Sequence, residues 1–362
     1  MKIFSKLFIL CFVAVLAGCA IHNTPDTMVS KDTKNPNTIS DNHIQAYVDQ
    51  SGSFYPQNWE ARYGTPCKYL CWRKHYSLKA IAKSKNVQSE KYLASEENRI
   101  LSAVEGELKD VERIFILIHG YNNSAKVSAE NYERIKELID FNESDAVIEF
   151  FWDGLISRSW IFGDAKIWFR ATGYSQLAGA EGLRDILNSI SNKKIFIITH
   201  SRGASVAISA LSNPPYGQKF ADDTLETHGI SVYDSMQLEH NENRISLILL
   251  APAIGEIDFK SNRYYQGDES FRELGSQLIN ISYTVNPNDS TLKKFLDYPN
   301  VTGKFNPTNF GYDFDAGAEI RAFYENVTPY DFSDTHSHSF SKYIENEKFL
   351  DMLEDQGIRT NR

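Results

Sequence analysis

The chain of 362 residues predicts an α/β fold, a mostly parallel central sheet flanked by helices. Three observations predict it. Continuous apolar runs recur from residue 114 onward, amphipathic helical patterns lie between them, and 42% of the chain is hydrophobic. Unbroken apolar runs belong to strands buried on both faces. Strands alternating with helices build βαβ units, whose strands pair in parallel. That share of apolar side chains is ample for a packed core and excludes global disorder.

The first element is a targeting signal over residues 1–18. Lys2 and Lys6 precede the stretch LFILCFVAVLA, which is too short for a permanent membrane span. The signal ends in Leu16-Ala17-Gly18-Cys19, which resembles the lipobox of bacterial lipoproteins. The resemblance implies that the chain is cut before Cys19 and that Cys19 carries the lipid. Several acyl chains anchor stably where one does not. Ala20, in place of Asp, follows the Cys, and by the same resemblance the mature protein belongs to the outer membrane of a bacterial envelope.

Residues 19–45 are polar and hold Pro, Asn, Asp, Ser and Thr, the composition of a flexible tether. Residues 46–110 form an N-terminal extension. It is aromatic around Phe54, Tyr55 and Trp59 and helical over SEENRILSAVEGEL. Cys67 and Cys71 lie within it, and outside the cytoplasm a local disulfide is the expectation. So small a loop adds little chain-entropy stabilisation. A metal site is the weaker reading, because Cys-x3-Cys has no second pair and only His75 is near.

Residues 111–362 carry the regular pattern. Strands are expected at Ile114–Ile118, Ala146–Phe151, Ile195–Thr199, Ile245–Leu250 and Ile279–Val285, with a final strand at Val327–Phe332. Between them, Tyr132, Ile135, Leu138 and Ile139 share one helical face, and Leu183, Ile186, Leu187 and Ile190 share another. An amphipathic helix closes the chain. Two stretches interrupt the rhythm. Residues 212–244 are polar, and residues 153–175 carry Trp160, Phe162, Trp168, Phe169 and Tyr174. These aromatics either line an acyl-binding cleft or pack into the domain.

Sites in open parallel sheets form at the carboxyl ends of the strands. At one such end stands Thr199-His200-Ser201-Arg202-Gly203, between a strand and a helix of small residues. This pattern resembles the G-x-S-x-G nucleophile elbow of the α/β hydrolases. A Ser raised on a sharp bend needs small neighbours, which Gly203 and Ala204 supply, while Thr199 departs from the usual Gly. His119-Gly120-Tyr121 follows the first strong strand and is similar to the oxyanion loop of the same family. The match implies that the backbone amides of Tyr121 and Arg202 form the oxyanion hole and that His119 is structural. The family order is Ser, acid, His. Asp289, in the turn after the Ile279–Val285 strand, is the favoured acid, with Asp258 as the runner-up. His338, leading into a helix, is the favoured base, with His336 as the alternative. A His-x-His metal pair competes with that reading but has no further ligand cluster beside it.

The resemblance covers roughly residues 110–355 and points to the bacterial serine esterase/lipase-like branch. It implies an α/β-hydrolase fold and a Ser-His-Asp triad cleaving carboxylic esters through an acyl-enzyme, without cofactor or metal. The expected substrate is a small-molecule or lipid ester, the lipid type being favoured by the anchor and the aromatic insertion. Two other readings stand beside it, a non-catalytic surface lipoprotein that uses the fold to bind and an acyltransferase. The formal charge of −9 and the lack of a basic run argue against a nucleic-acid partner.

Overall fold

The computed structural model describes residues 20–25, 35–66, 76–157, 163–214, 216–261, 270–296 and 308–362. Cys19, Cys67 and Cys71 lie outside these residues, as do Trp160 and Phe162. The strands are β1 (Ala20–Ile21), β2 (Thr38–Ser40), β3 (His43–Val48), β4 (Arg113–Ile118), β5 (Asp145–Trp152), β6 (Ile156–Ser157), β7 (Lys194–His200), β8 (Arg244–Leu250), β9 (Leu278–Val285) and β10 (Val327–Asp331).

Eight of them form one sheet in the order β10-β9-β8-β7-β4-β5-β3-β2. Every neighbour pair is parallel except β2 with β3, which is antiparallel. The central strands β4, β5, β7 and β8 are buried along nearly their whole length, as unbroken apolar runs require. Their side chains alternate between two cores. Ile114, Ile116 and Ile118 face the cluster that holds Ile148, Ile197 and Val206. Phe115 and Leu117 face the cluster that holds Tyr132, Ile198 and the C-terminal Phe349 and Met352. This is the α/β-hydrolase fold.

The N-terminal boundaries need correction. Residues 19–45 are not a tether throughout, because β2 and the start of β3 complete the sheet edge. Nor are residues 46–110 an appended unit. β3 pairs in parallel with β5, and Ile44, Ala46, Val48, Ile100 and Val104 belong to the same core as Ile116. The polar composition around residue 40 reflects an edge strand, which presents polar groups to solvent.

Residues 20–25 are also placed. β1 pairs with β6 in a separate two-stranded ribbon, and Asn23 and Thr24 are buried. The aromatic insertion resolves in favour of packing where it is described, since Trp168 and Tyr174 are both buried.

Candidate active site

β7 runs to His200, and the chain then bends sharply at Ser201, which has φ 54°. A non-glycine residue in the left-handed region costs on the order of 1–2 kcal/mol. Hydrogen bonds on both sides hold it there. The Ser201 amide donates to the Leu250 carbonyl at 2.9 Å, and the Ala253 amide donates to the Ser201 carbonyl at 3.1 Å. The helix Gly203–Leu211 starts at once. A Cβ on Gly203 would lie 2.7 Å from the His119 carbonyl oxygen and 2.8 Å from that of Ile118. A Cβ on Gly120 would lie 2.7 Å from the Cβ of Ser201. The two glycines therefore let the loop after β4 close onto the elbow. Thr199, on the strand side, is fully buried within β7.

The loops after β9 and β10 bring two further side chains to Ser201. Asp289 precedes the helix Ser290–Leu296, and its Oδ1 accepts from the amides of Thr291 at 2.9 Å and Leu292 at 3.1 Å. Its Oδ2 lies 2.7 Å from Nδ1 of His338 and accepts the Tyr343 hydroxyl at 3.0 Å. His338 Nε2 lies 2.9 Å from Ser201 Oγ. Burial opposes ionisation of Asp289. The hydrogen bond and charge of His338, the Leu292 amide and Tyr343 outweigh it and hold the carboxyl below its ordinary pKa. An ionised Asp289 accepts from His338 Nδ1–H, which leaves Nε2 to accept from the Ser201 hydroxyl.

The alternatives fall elsewhere. His336 is exposed. Asp258 faces the guanidinium of Arg202, with Nη2 at 3.1 Å and Nη1 at 3.5 Å, and accepts the Gly255 amide at 3.0 Å. The Arg202 side chain thus belongs to a buried ion pair, while its backbone opens the helix beneath Ser201.

Three supporting residues escaped the motif reading. His200, the spacer inside the elbow pattern, has Nε2 at 2.8 Å from the His338 carbonyl and stacks on Phe340 with centroids 4.7 Å apart. Asn286 donates to the Thr335 carbonyl at 2.6 Å and to the Tyr343 hydroxyl at 2.9 Å, bracing the loop that carries His338. Tyr343 completes this brace at Asp289. The Asn286-Pro287-Asn288 turn signal was visible in the sequence, but its partners lie in another loop.

His119 is structural. Its Nδ1 donates to the Gly120 carbonyl at 2.7 Å, and its Nε2 accepts from the Trp152 amide at 3.2 Å. Burial pushes His119 down to about 4, and burial with the neighbouring His338 pushes His200 down to about 3. Both stay neutral in the fold, whereas unfolded His protonates near pH 6.5. Their stabilisation is present above that pH and is lost as pH falls toward 4, on the order of a few kcal/mol together. Thermal midpoints should therefore drop steadily from pH 6.5 to 4, with a shallower slope in His200→Phe. A flat profile over this range would contradict the neutral assignment.

The loop after β4 lines an open cleft of about 180 Å³. Its wall holds His338 and Tyr121, the polar Asn122, Asn123, Asn131, Thr291 and Ser339, and the apolar Val127 and Phe340. Trp168 packs edge-on behind Tyr121 at 5.1 Å. No described helix is long and apolar enough to cross a membrane.

Residues 94–293 match the family model described as alpha/beta hydrolase of unknown function (DUF900). The chain belongs to this family. The match includes the elbow, the loop after β4 and Asp289, while His338 lies beyond it. No curated protein matches the sequence. Among solved structures, the family member is similar to the Tle1 effector bound to the VgrG spike from the Type 6 secretion system. The two are 12% identical over 62% of this chain, with a TM-score of 0.19, and the chain spans 50% of that protein. A likeness this slight bears on neither fold nor activity.

Proposed function

We propose that this hydrolase-family protein cleaves carboxylic esters through an acyl-enzyme on Ser201. His338 takes the Ser201 proton as Oγ attacks the carbonyl carbon. Asp289 holds the imidazole in the useful tautomer and stabilises its charged form. The amides of Tyr121 and Arg202 receive the oxyanion, aided by the N-terminus of the helix Gly203–Leu211. The alcohol leaves with the proton from His338, and water activated by the same imidazole releases the acid. The observation that carries the reading is the contact of His338 with Ser201 at 2.9 Å and with Asp289 at 2.7 Å.

The anchor favours a lipid ester. The small volume of the cleft, about 180 Å³, instead supports a short acyl group, since sites for larger ligands run to roughly 300 Å³ and more. We take the short ester as the substrate, met at the envelope by a protein acylated at Cys19. Mixing with p-nitrophenyl acetate should release a burst of nitrophenol of about one equivalent per chain, followed by slower turnover. Rates should fall from acetate to octanoate esters. Faster cleavage of the octanoate would restore the lipid ester, and no turnover of either would sink the esterase reading.

A further inference from the structure

We infer that residues 20–25 form a clasp that sets the oxyanion loop, with Asn23 as a positioning residue for the reaction. The inference rests on the role proposed above for the Tyr121 amide.

Three segments meet beside the cleft, residues 20–25, 119–125 and 152–157. The second and third are tied directly. Trp152 Nε1 donates to the His119 carbonyl at 2.8 Å, and the Ser157 amide donates to Asn122 Oδ1 at 2.7 Å. The Asn122 amide donates to the Leu155 carbonyl at 3.1 Å. The first segment locks this pair from outside. β1 pairs with β6, placing Ile21 opposite Ile156. His22 Nδ1 lies 2.6 Å from Asp153 Oδ2, and the Asn23 amide donates to Asp153 Oδ1 at 2.8 Å.

Asn23 then reaches the oxyanion loop itself. Its Nδ2 donates to the Asn123 carbonyl at 3.1 Å, and its Oδ1 accepts the Ala125 amide at 3.3 Å. Both ends of this amide are used and the residue is fully buried. The loop it holds contains Asn122 at φ 57°, outside any strand or helix, so bonds from neighbouring segments, those of Asn23 among them, fix its shape. An oxyanion donor acts only where it is held within about half an ångström of its productive position, roughly 3 Å from the developing charge. The clasp begins immediately after Cys19, so an anchor on that Cys would be joined to the oxyanion loop through a seated segment.

The test uses the full mature chain with Asn23→Ala, Asn23→Asp and Ser201→Ala, assayed on p-nitrophenyl acetate well below each thermal midpoint. Asn23→Ala should lower kcat by roughly 10- to 100-fold while KM moves less than about threefold, a fraction of the 10²–10³ that one oxyanion donor supplies. Asn23→Asp keeps the acceptor for the Ala125 amide but turns a carboxylate oxygen toward the Asn123 carbonyl, and should lose at least as much. A kcat for Asn23→Ala within twofold of wild type overturns the clasp. So does a loss in both variants that only tracks their melted fraction. If Ser201→Ala is inert while Asn23→Ala is unimpaired, the clasp alone fails. If Ser201→Ala turns over like wild type, the nucleophile assignment fails and the clasp falls with it.

Discussion

Asp289→Asn is expected to fold normally and to lose on the order of 10⁴-fold in kcat. The amide keeps the shape of the carboxyl, and Oδ1 can still accept from the Thr291 and Leu292 amides. What changes is the partner of His338. An amide NH₂ facing Nδ1 favours the imidazole with its proton on Nε2, where it can no longer accept from Ser201. The charge that stabilises the imidazolium is also gone. Asp258→Asn gives the contrast. It leaves the buried Arg202 guanidinium without its counter-charge and should cost about 3 kcal/mol of stability, with kcat per folded molecule far less affected. Steady-state kinetics and thermal melts on both variants separate the cases. If Asp258→Asn shows the catalytic collapse and Asp289→Asn does not, the acid has been misassigned.

The second large effect joins stability to activity at one residue. Ser201→Gly should reduce kcat by about 10⁵- to 10⁶-fold, as loss of a nucleophile does, and should raise stability by about 0.5–1 kcal/mol. The gain follows from φ 54° at this position, a region that glycine enters without steric cost. Ser201→Ala should lose as much activity without the gain, because the Cβ remains. Calorimetry of the three proteins reads this directly. A Ser201→Gly protein less stable than Ser201→Ala would show that the bend carries no strain.

Much of this architecture is legible in the sequence. Strands β4, β5, β7, β8 and β9 lie where continuous apolar runs stand, since burial on both faces leaves a strong local mark. The elbow at Ser201 was legible for the same reason. Strand, nucleophile, glycine and small-residue helix sit in one short stretch, each required by the bend. Asp289 and His338 could be placed by following the order of strands. The sequence favours His338 over His336 because it leads into a helix, and the fold adds a distance, with Nε2 of His338 2.9 Å from Ser201 Oγ and His336 exposed.

What stayed hidden depends on contacts between distant segments. Residues 20–25 look like linker because nothing in them is periodic, and what seats them are Asp153 and Asn123, more than a hundred residues away in the first case and a hundred in the second. β2 reads as linker because it is the edge strand, and an edge strand is polar by composition. His200 passed as a spacer in the elbow motif. Its role arises only when the loop after β10 lays the His338 carbonyl against it.

Active-site labelling asks directly whether Ser201 is the nucleophile. The folded protein is treated with a fluorophosphonate, digested, and the adduct located by mass spectrometry. One adduct is expected, on Ser201, formed far more slowly in Asp289→Asn and absent in Ser201→Ala. An adduct on another residue, or a Ser201→Ala protein that labels as fast as wild type, would contradict it.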